Sequence, residues 1–166
     1  VELQDLRVLT LIADTPEVDP GANVTITPVI SDINETTSLN YEAYGCIDPG
    51  VSLGAKPTCE GNSTKTLLGQ GTITSASSLD MAQNFTGSAP SFTATMPTNL
   101  VIFSQRSSID QYNGVSYLIT YKITNTAGKS VESFRRILVS NKSASDKNTN
   151  PVINSILSQG ASLGTN

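Results

Sequence analysis

Apolar side chains fall at every second position from residue 115 to residue 123: Val115, Tyr117, Ile119, Tyr121 and Ile123. A mostly polar set, Ser116, Leu118, Thr120, Lys122 and Thr124, lies between them. A period of two sends the first set to one face of an extended strand and the second to the other. β-branched and aromatic residues suit a half-buried pleated surface. The run Asn125-Thr126-Ala127-Gly128-Lys129 carries turn chemistry: Gly128 accepts a positive φ, and Asn125 can bond nearby backbone. Val131, Ile137 and Val139 resume the apolar set, and the interruption around Phe134, Arg135 and Arg136 predicts a β-bulge. Burying the five apolar side chains of the first strand contributes roughly 1.5–3 kcal/mol each before entropy is subtracted. The hairpin over 115–139 is therefore expected at the middle of a sheet.

Weaker alternation marks the rest of the chain. Residues 6–12 read as a first strand after a frayed lead-in over 1–5. The bend 14–21 holds Pro16 and Pro20, which predicts a kinked strand at a sheet edge. Residues 23–30 form a second strand with Val24 and Ile26 inward, 31–39 a polar loop, and 40–46 a third strand bearing Tyr41 and Tyr44. Residues 47–90 are less regular, with turns at Pro49-Gly50 and Lys56-Pro57, a short strand over 67–73 and a small, polar stretch over 75–88. Phe92, Ala94 and Met96 alternate in a strand that stops at Pro97. A short apolar run over 100–103 and a surface loop over 104–114 lead into the main hairpin. After Ser140 the composition turns polar, and 141–150 reads as a linker. Residues 151–166 read as a strand-like tail, either the start of a following module or a strand that docks on its own domain or on a neighbour.

Composition narrows the chemistry. Among 166 residues 37% are hydrophobic and 14% charged, the formal net charge is −4 and the pI about 4.6. Low charge with abundant Ser, Thr, Asn and Gly suits an extracellular β-protein. No basic stripe suggests nucleic-acid binding, and no apolar run reaches the length of a membrane span. The first residue is Val1, consistent with a removed targeting segment or a trimmed start. The chain has no histidine, which excludes His-based general bases, Ser-His-Asp systems and His metal ligands.

The phrase Pro16-Glu17-Val18-Asp19-Pro20-Gly21-Ala22-Asn23-Val24-Thr25 resembles the opening of bacterial immunoglobulin-like domains, in which a Pro-Gly turn precedes a V-T-I/L strand. Asn125-Thr126-Ala127-Gly128-Lys129-Ser130 is similar to the last hairpin turn of that family. The resemblance implies an all-β, immunoglobulin-like β-sandwich of about seven to nine antiparallel strands over 6–140. The chain departs from the family in lacking the core Trp of the third strand, for which Tyr41 or Tyr44 is the nearest substitute, and in the placement of its cysteines. The arrangement also resembles repeat modules of bacterial cell-surface lipoproteins, where one Cys follows the aromatic strand and a second closes the loop after it. That likeness implies a lipid anchor upstream and a place on the cell surface or in the envelope.

Cys46 and Cys59 are the two cysteines. An even count in a secreted-type chain, with Gly and Pro nearby, predicts a disulfide rather than a reactive thiol, worth about 3 kcal/mol by the chain-entropy model. Asp14, Glu17, Asp19 and Asp48, with Asp146 and Asn148, could supply oxygens to calcium; the alternative is solvated turn carboxylates. No other cofactor is expected. Asn23, Asn34, Asn62, Asn84 and Asn141 head N-x-S/T triplets, expected to be unmodified in a bacterial chain. Arg135 and Arg136 could grip an anion only if a bulge brought them to one face, and otherwise guard an edge. Of the tyrosines, Tyr112 in its loop is the candidate for ligand binding, while Tyr117 and Tyr121 belong to the core.

The expected function is a non-catalytic module for spacing, assembly or adhesion. Its partner would be a protein or glycan at the cell surface, or copies of itself. Two alternatives remain open: ligand binding by the 46–59 and 104–114 loops, and assembly through the C-terminal strand. An enzyme is the class least favoured.

Overall fold

The computed structural model describes residues 6–31, 38–51, 53–74, 86–152, 156–158 and 161–164. The lead-in 1–5, the loop residues 32–37, the stretch 75–85 and the triplet heads Asn34 and Asn84 lie outside the described residues. The described chain builds an immunoglobulin-like β-sandwich. One sheet holds β1 (Arg7–Ala13), β3 (Asn23–Ser31), β6 (Thr86–Ser88) and β7 (Phe92–Thr95). The other has the order β2 (Glu17–Val18), β9 (Ser130–Val139), β8 (Val115–Asn125), β4 (Ser38–Ile47) and β5 (Thr66–Thr74).

β8 is bonded along its length by β4 on one side and β9 on the other, so the hairpin does occupy the middle of a sheet. Its apolar set is the heart of the core: Ile119, Tyr121 and Ile123 are fully buried, as are Val24, Ile26 and Ile30 from the facing sheet. The missing Trp is replaced by a stack. Tyr41 lies 5.7 Å from Tyr121, and Phe92 lies 5.9 Å from Tyr121 on rings inclined by only 3°. These three rings join β4, β8 and β7 across the two layers.

The expected β-bulge around Phe134, Arg135 and Arg136 is absent. Pairing of β8 with β9 runs without a shift from Val115↔Val139 to Thr124↔Ser130. Val131, Ile137 and Val139 already share one parity, so no extra residue is needed to bring them to one face. Ser133 and Arg135 simply occupy the two inward positions between them. The turn itself closes as expected: the Asn125 N–H donates to the Lys129 carbonyl at 2.9 Å, and Gly128 has φ +78°.

The prolines act at the sheet edge, and in one further way. β1 pairs with β3 alone in its sheet and shifts register between Val8 and Thr10. The chain then crosses at Pro16 to the opposite sheet, where β2 pairs with β9 in parallel. The strand set is therefore not wholly antiparallel. β6 and β7 both pair with β3, and the Ala89-Pro90-Ser91 segment between them interrupts what would be one strand.

Two short helices correct the loop expectation over 104–114 and define the 100–103 run. α1 (Asn99–Ile102) tucks Ile102 into the core. α2 (Ser108–Asn113) opens on a capping box in which the Ser107 hydroxyl accepts from the Asp110 N–H and the Asp110 carboxylate accepts from the Ser107 N–H. A 3-10 turn spans Ala144–Asp146. In the tail, β10 (Ile156–Ser158) pairs with β11 (Ala161–Gly164) as a two-stranded sheet of its own. Among the described residues no helix is long and apolar enough to cross a membrane.

Candidate functional site

Three places gather the polar chemistry: the stapled loop, a cleft at the same end of the sandwich, and a buried acid at the N-terminal crossover.

Cys46 and Cys59 form the expected disulfide, with Cα atoms 5.7 Å apart. Cys46 pairs with Leu118 across β4 and β8, on the face turned away from the core. The two sulfurs and Leu118 make a small cluster of their own, each at most 2% exposed. The loop between the cysteines thus folds over the outer face of the sheet. Two ion pairs fix it to β9: Lys56 with Glu132 at 2.7 Å and Asp48 with Arg136 at 2.5 Å. Asn62 welds its far end to β4. Its amide donates to the Ile47 carbonyl at 2.9 Å, and its carbonyl accepts from the Thr64 N–H at 2.8 Å.

Beyond that weld lies a cleft of about 410 Å³. Ser63 and Lys65 border it on the approach to β5, Thr98 and Val101 on the side of α1, and the Tyr117 ring lies at its floor. Tyr117 is only 2% exposed. Its ring passes over Gly45, where a Cβ would come within 2.4 Å of the phenolic oxygen, so only glycine fits beneath it. The Lys65 ammonium is committed, pairing with Glu60 and lying 4.2 Å over the Tyr44 ring.

Glu17 is the third feature. Only 3% exposed, it accepts from the Ser140 hydroxyl at 2.6 Å, the Asn148 N–H at 2.9 Å and the Asn148 side-chain amide at 2.6 Å. Lys142 sits 3.1 Å away. Burial on its own pushes the Glu17 carboxyl upward. The bonds from Ser140, Asn148 and Lys142, with the charge of Lys142, outweigh that, and its pKa is lowered from the ordinary 4.5. Around this hub, Lys147 pairs with Asp19 at 3.0 Å and donates to the Lys142 carbonyl. Asn150 donates to the carbonyls of Ala13 and Asp14 at 2.9 and 2.8 Å. The polar stretch after Ser140 is thus laced to the start of the sandwich.

The proposed calcium ligands do not converge. Asp14 accepts from the Thr25 N–H and the Thr15 hydroxyl, Glu17 serves the hub, Asp19 pairs with Lys147, and Asp48 pairs with Arg136. Among the described residues no group of three or more metal-capable side chains comes together. Arg135 and Arg136 do not share a ligand. Arg136 is tied to Asp48 on the outer face, while Arg135 takes an inward position opposite Ile119, with its Nε buried and unpartnered. Tyr112 stands exposed on α2 at 52%, with the Lys142 ammonium 6.0 Å from its ring.

Sequence reasoning missed the hub and the cleft. The partners of Glu17 lie 123 to 131 residues away, so no local pattern joins them. The one available signal was the carboxylate next to Val18, in a bend otherwise built of turn residues.

No family model and no curated protein matches this chain. Solved structures do resemble it. The sporulation control protein Spo0M from Bacillus subtilis matches with a TM-score of 0.41 and 12% identity over 84% of this chain and 51% of its own. A cycloisomaltooligosaccharide glucanotransferase from Paenibacillus, complexed with cycloisomaltoheptaose, matches with a TM-score of 0.41 and 18% identity over 84% of this chain and 14% of its own. Murine CRIg matches with a TM-score of 0.31 and 10% identity over 79% of this chain and 97% of its own. The chain thus spans about half of the first and about a seventh of the second.

Proposed function

We propose that this chain is a non-catalytic structural and adhesive module that works outside the cytoplasm, in the manner of the immunoglobulin-like repeats of bacterial surface proteins. The observation that carries the reading is how the short strand after the Pro16 crossover, β2, joins the last strand of the sandwich, β9. β2 and β9 run parallel, with the Leu138 N–H donating to the Pro16 carbonyl and the Ser140 N–H to the Val18 carbonyl, both at 3.0 Å. Tension on the two ends of a parallel pair pulls the strands past each other. The bonds are then loaded together, in shear, instead of opening one at a time. The Glu17 hub and the Asn150 bonds reinforce that contact with the chain that leaves the sandwich. A module that transmits load between its neighbours gains from such a joint. The disulfide supports an oxidising compartment, since cytosolic thiols are held reduced. The partner would be a surface protein or glycan, or further copies of the module.

Single-molecule pulling through the two ends tests the reading. The wild type should rupture in one dominant event, and Glu17→Ala should lower its force. Unfolding without a resolvable force peak, or an unchanged force in the variant, would reject a load-bearing role.

A further inference from the structure

The geometry points to the cleft over Tyr117 as a binding site for the terminal sugar of a neutral glycan. This goes beyond a load-bearing module, because it gives the sandwich a ligand of defined chemistry. Three hydroxyls carry the argument. Tyr117 is 98% buried, yet its phenol has no hydrogen-bond partner among the described residues and lines the cleft. The ring is buried but the hydroxyl itself opens onto the cleft, where a ligand oxygen would replace water as its partner. Thr98 occupies the N-cap position of α1, where a threonine hydroxyl usually accepts a backbone N–H, but its side chain makes no cap bond. The Ser63 hydroxyl, across the cleft, likewise bonds no side chain or backbone of the described residues, and both Ser63 and Thr98 are exposed at the cleft. The neighbouring Thr64 hydroxyl is spent, since it accepts from the Ile47 N–H and donates to Asn62.

Met96, Pro97 and Val101 form an apolar wall beside these hydroxyls, and Lys65, Thr66 and Thr95 complete the lining, the last two with their hydroxyls bonded to the Thr64 carbonyl and to Asn23. Hydroxyls that both donate and accept, set around an apolar wall, match a pyranose. Such a ring offers hydroxyls at its rim and C–H groups on its faces. The charge balance selects a neutral ligand. The one ammonium at the cleft, Lys65, is already paired with Glu60, and no unpaired carboxylate lines it. Gly45 is the specificity device beneath the floor, because any larger residue would displace the phenol.

The test is an amide-shift titration of the whole chain by nuclear magnetic resonance. The probes are glucose, galactose, mannose, N-acetylglucosamine, cellotetraose, maltotetraose and mannotetraose, with glucuronate as the charged control. At least one neutral probe should shift the resonances of Ser63, Thr98 and Val101. Tyr117→Phe keeps the ring in the core and should weaken that binding about five- to tenfold, the worth of one hydrogen bond. Val101 is half exposed, so Val101→Trp fills the mouth without touching the core and should abolish binding. Silence from every neutral probe, a preference for glucuronate, or affinity unchanged in both variants would each overturn the assignment. The pulling experiment is independent of this outcome.

Discussion

Tyr121 and Glu17 are both buried polar side chains, and only Glu17 is satisfied. The Tyr121 ring sits at the centre of the aromatic stack with its hydroxyl buried and unbonded. Burial, with Tyr41 nearby, holds that phenol far above its usual range. A lone buried hydroxyl forfeits its bonds to water and gets none in return. Tyr121→Phe is therefore expected to leave stability unchanged or raise it by up to about 1 kcal/mol in urea unfolding. Glu17 has every reason to remain ionised. A carboxyl whose folded pKa lies below its unfolded value stabilises the fold in full above about pH 4.5, and loses that contribution as pH falls through the folded value. Glu17→Gln should therefore cost about 1–3 kcal/mol at neutral pH, since it loses the charge-assisted bonds and leaves Lys142 without its partner. The gap from wild type should narrow as the pH falls below 4.5 and through the lowered folded value. Parallel urea curves across that window check the sign.

At the scale of elements, the strands were legible and the lid over the sheet was not. β3, β4, β7 and β8 carry period-two patterns that alternation alone identifies, and the Asn125–Lys129 turn announces its own geometry. The bulge expected in β9 is absent because the polar interval there is no change of phase: Val131, Ile137 and Val139 stand an even number of residues apart. The tucked helices were missed because α1 is four residues long and α2 six, too short for a periodic signal. Leu118, at an outward position, gave the least heeded clue, since a large apolar residue on a polar face needs a cover. That cover is the stapled loop. Replacing both Cys46 and Cys59 by Ala should cost about 2–4 kcal/mol, read as a shift of the urea midpoint. It should also raise amide exchange at Leu118, because the loop over it then loses its covalent tie and keeps the ion pairs of Lys56 and Asp48 and the hydrogen bonds of Asn62 and the Asp48 N–H.

Across the whole molecule, what escaped the sequence is contact between its two ends. The crossover at Pro16 moves a two-residue strand from one sheet to the other, and only the completed fold shows what lies beside it. Glu17, Asp19 and the carbonyls of Ala13 and Asp14 receive Ser140, Lys142, Lys147, Asn148 and Asn150 from a segment whose composition reads as unstructured. Polar composition predicts solvent exposure for a segment on its own, but here each donor meets an acceptor prepared on another strand. The cleft is likewise a product of assembly. Ser63, Thr98 and Tyr117 come from the approach to β5, the start of α1 and the middle sheet strand, and each lies far from the others in sequence.

The turn between β8 and β9 has a practical use. Residues 126–130 are exposed, and the unbroken ladder on either side holds the two chain ends of that turn next to each other. A foreign peptide grafted between Thr126 and Gly128 would begin and finish on anchored backbone. The protein would then serve as a carrier for displaying loops, with the disulfide and the acid hub at a distance in sequence from the graft.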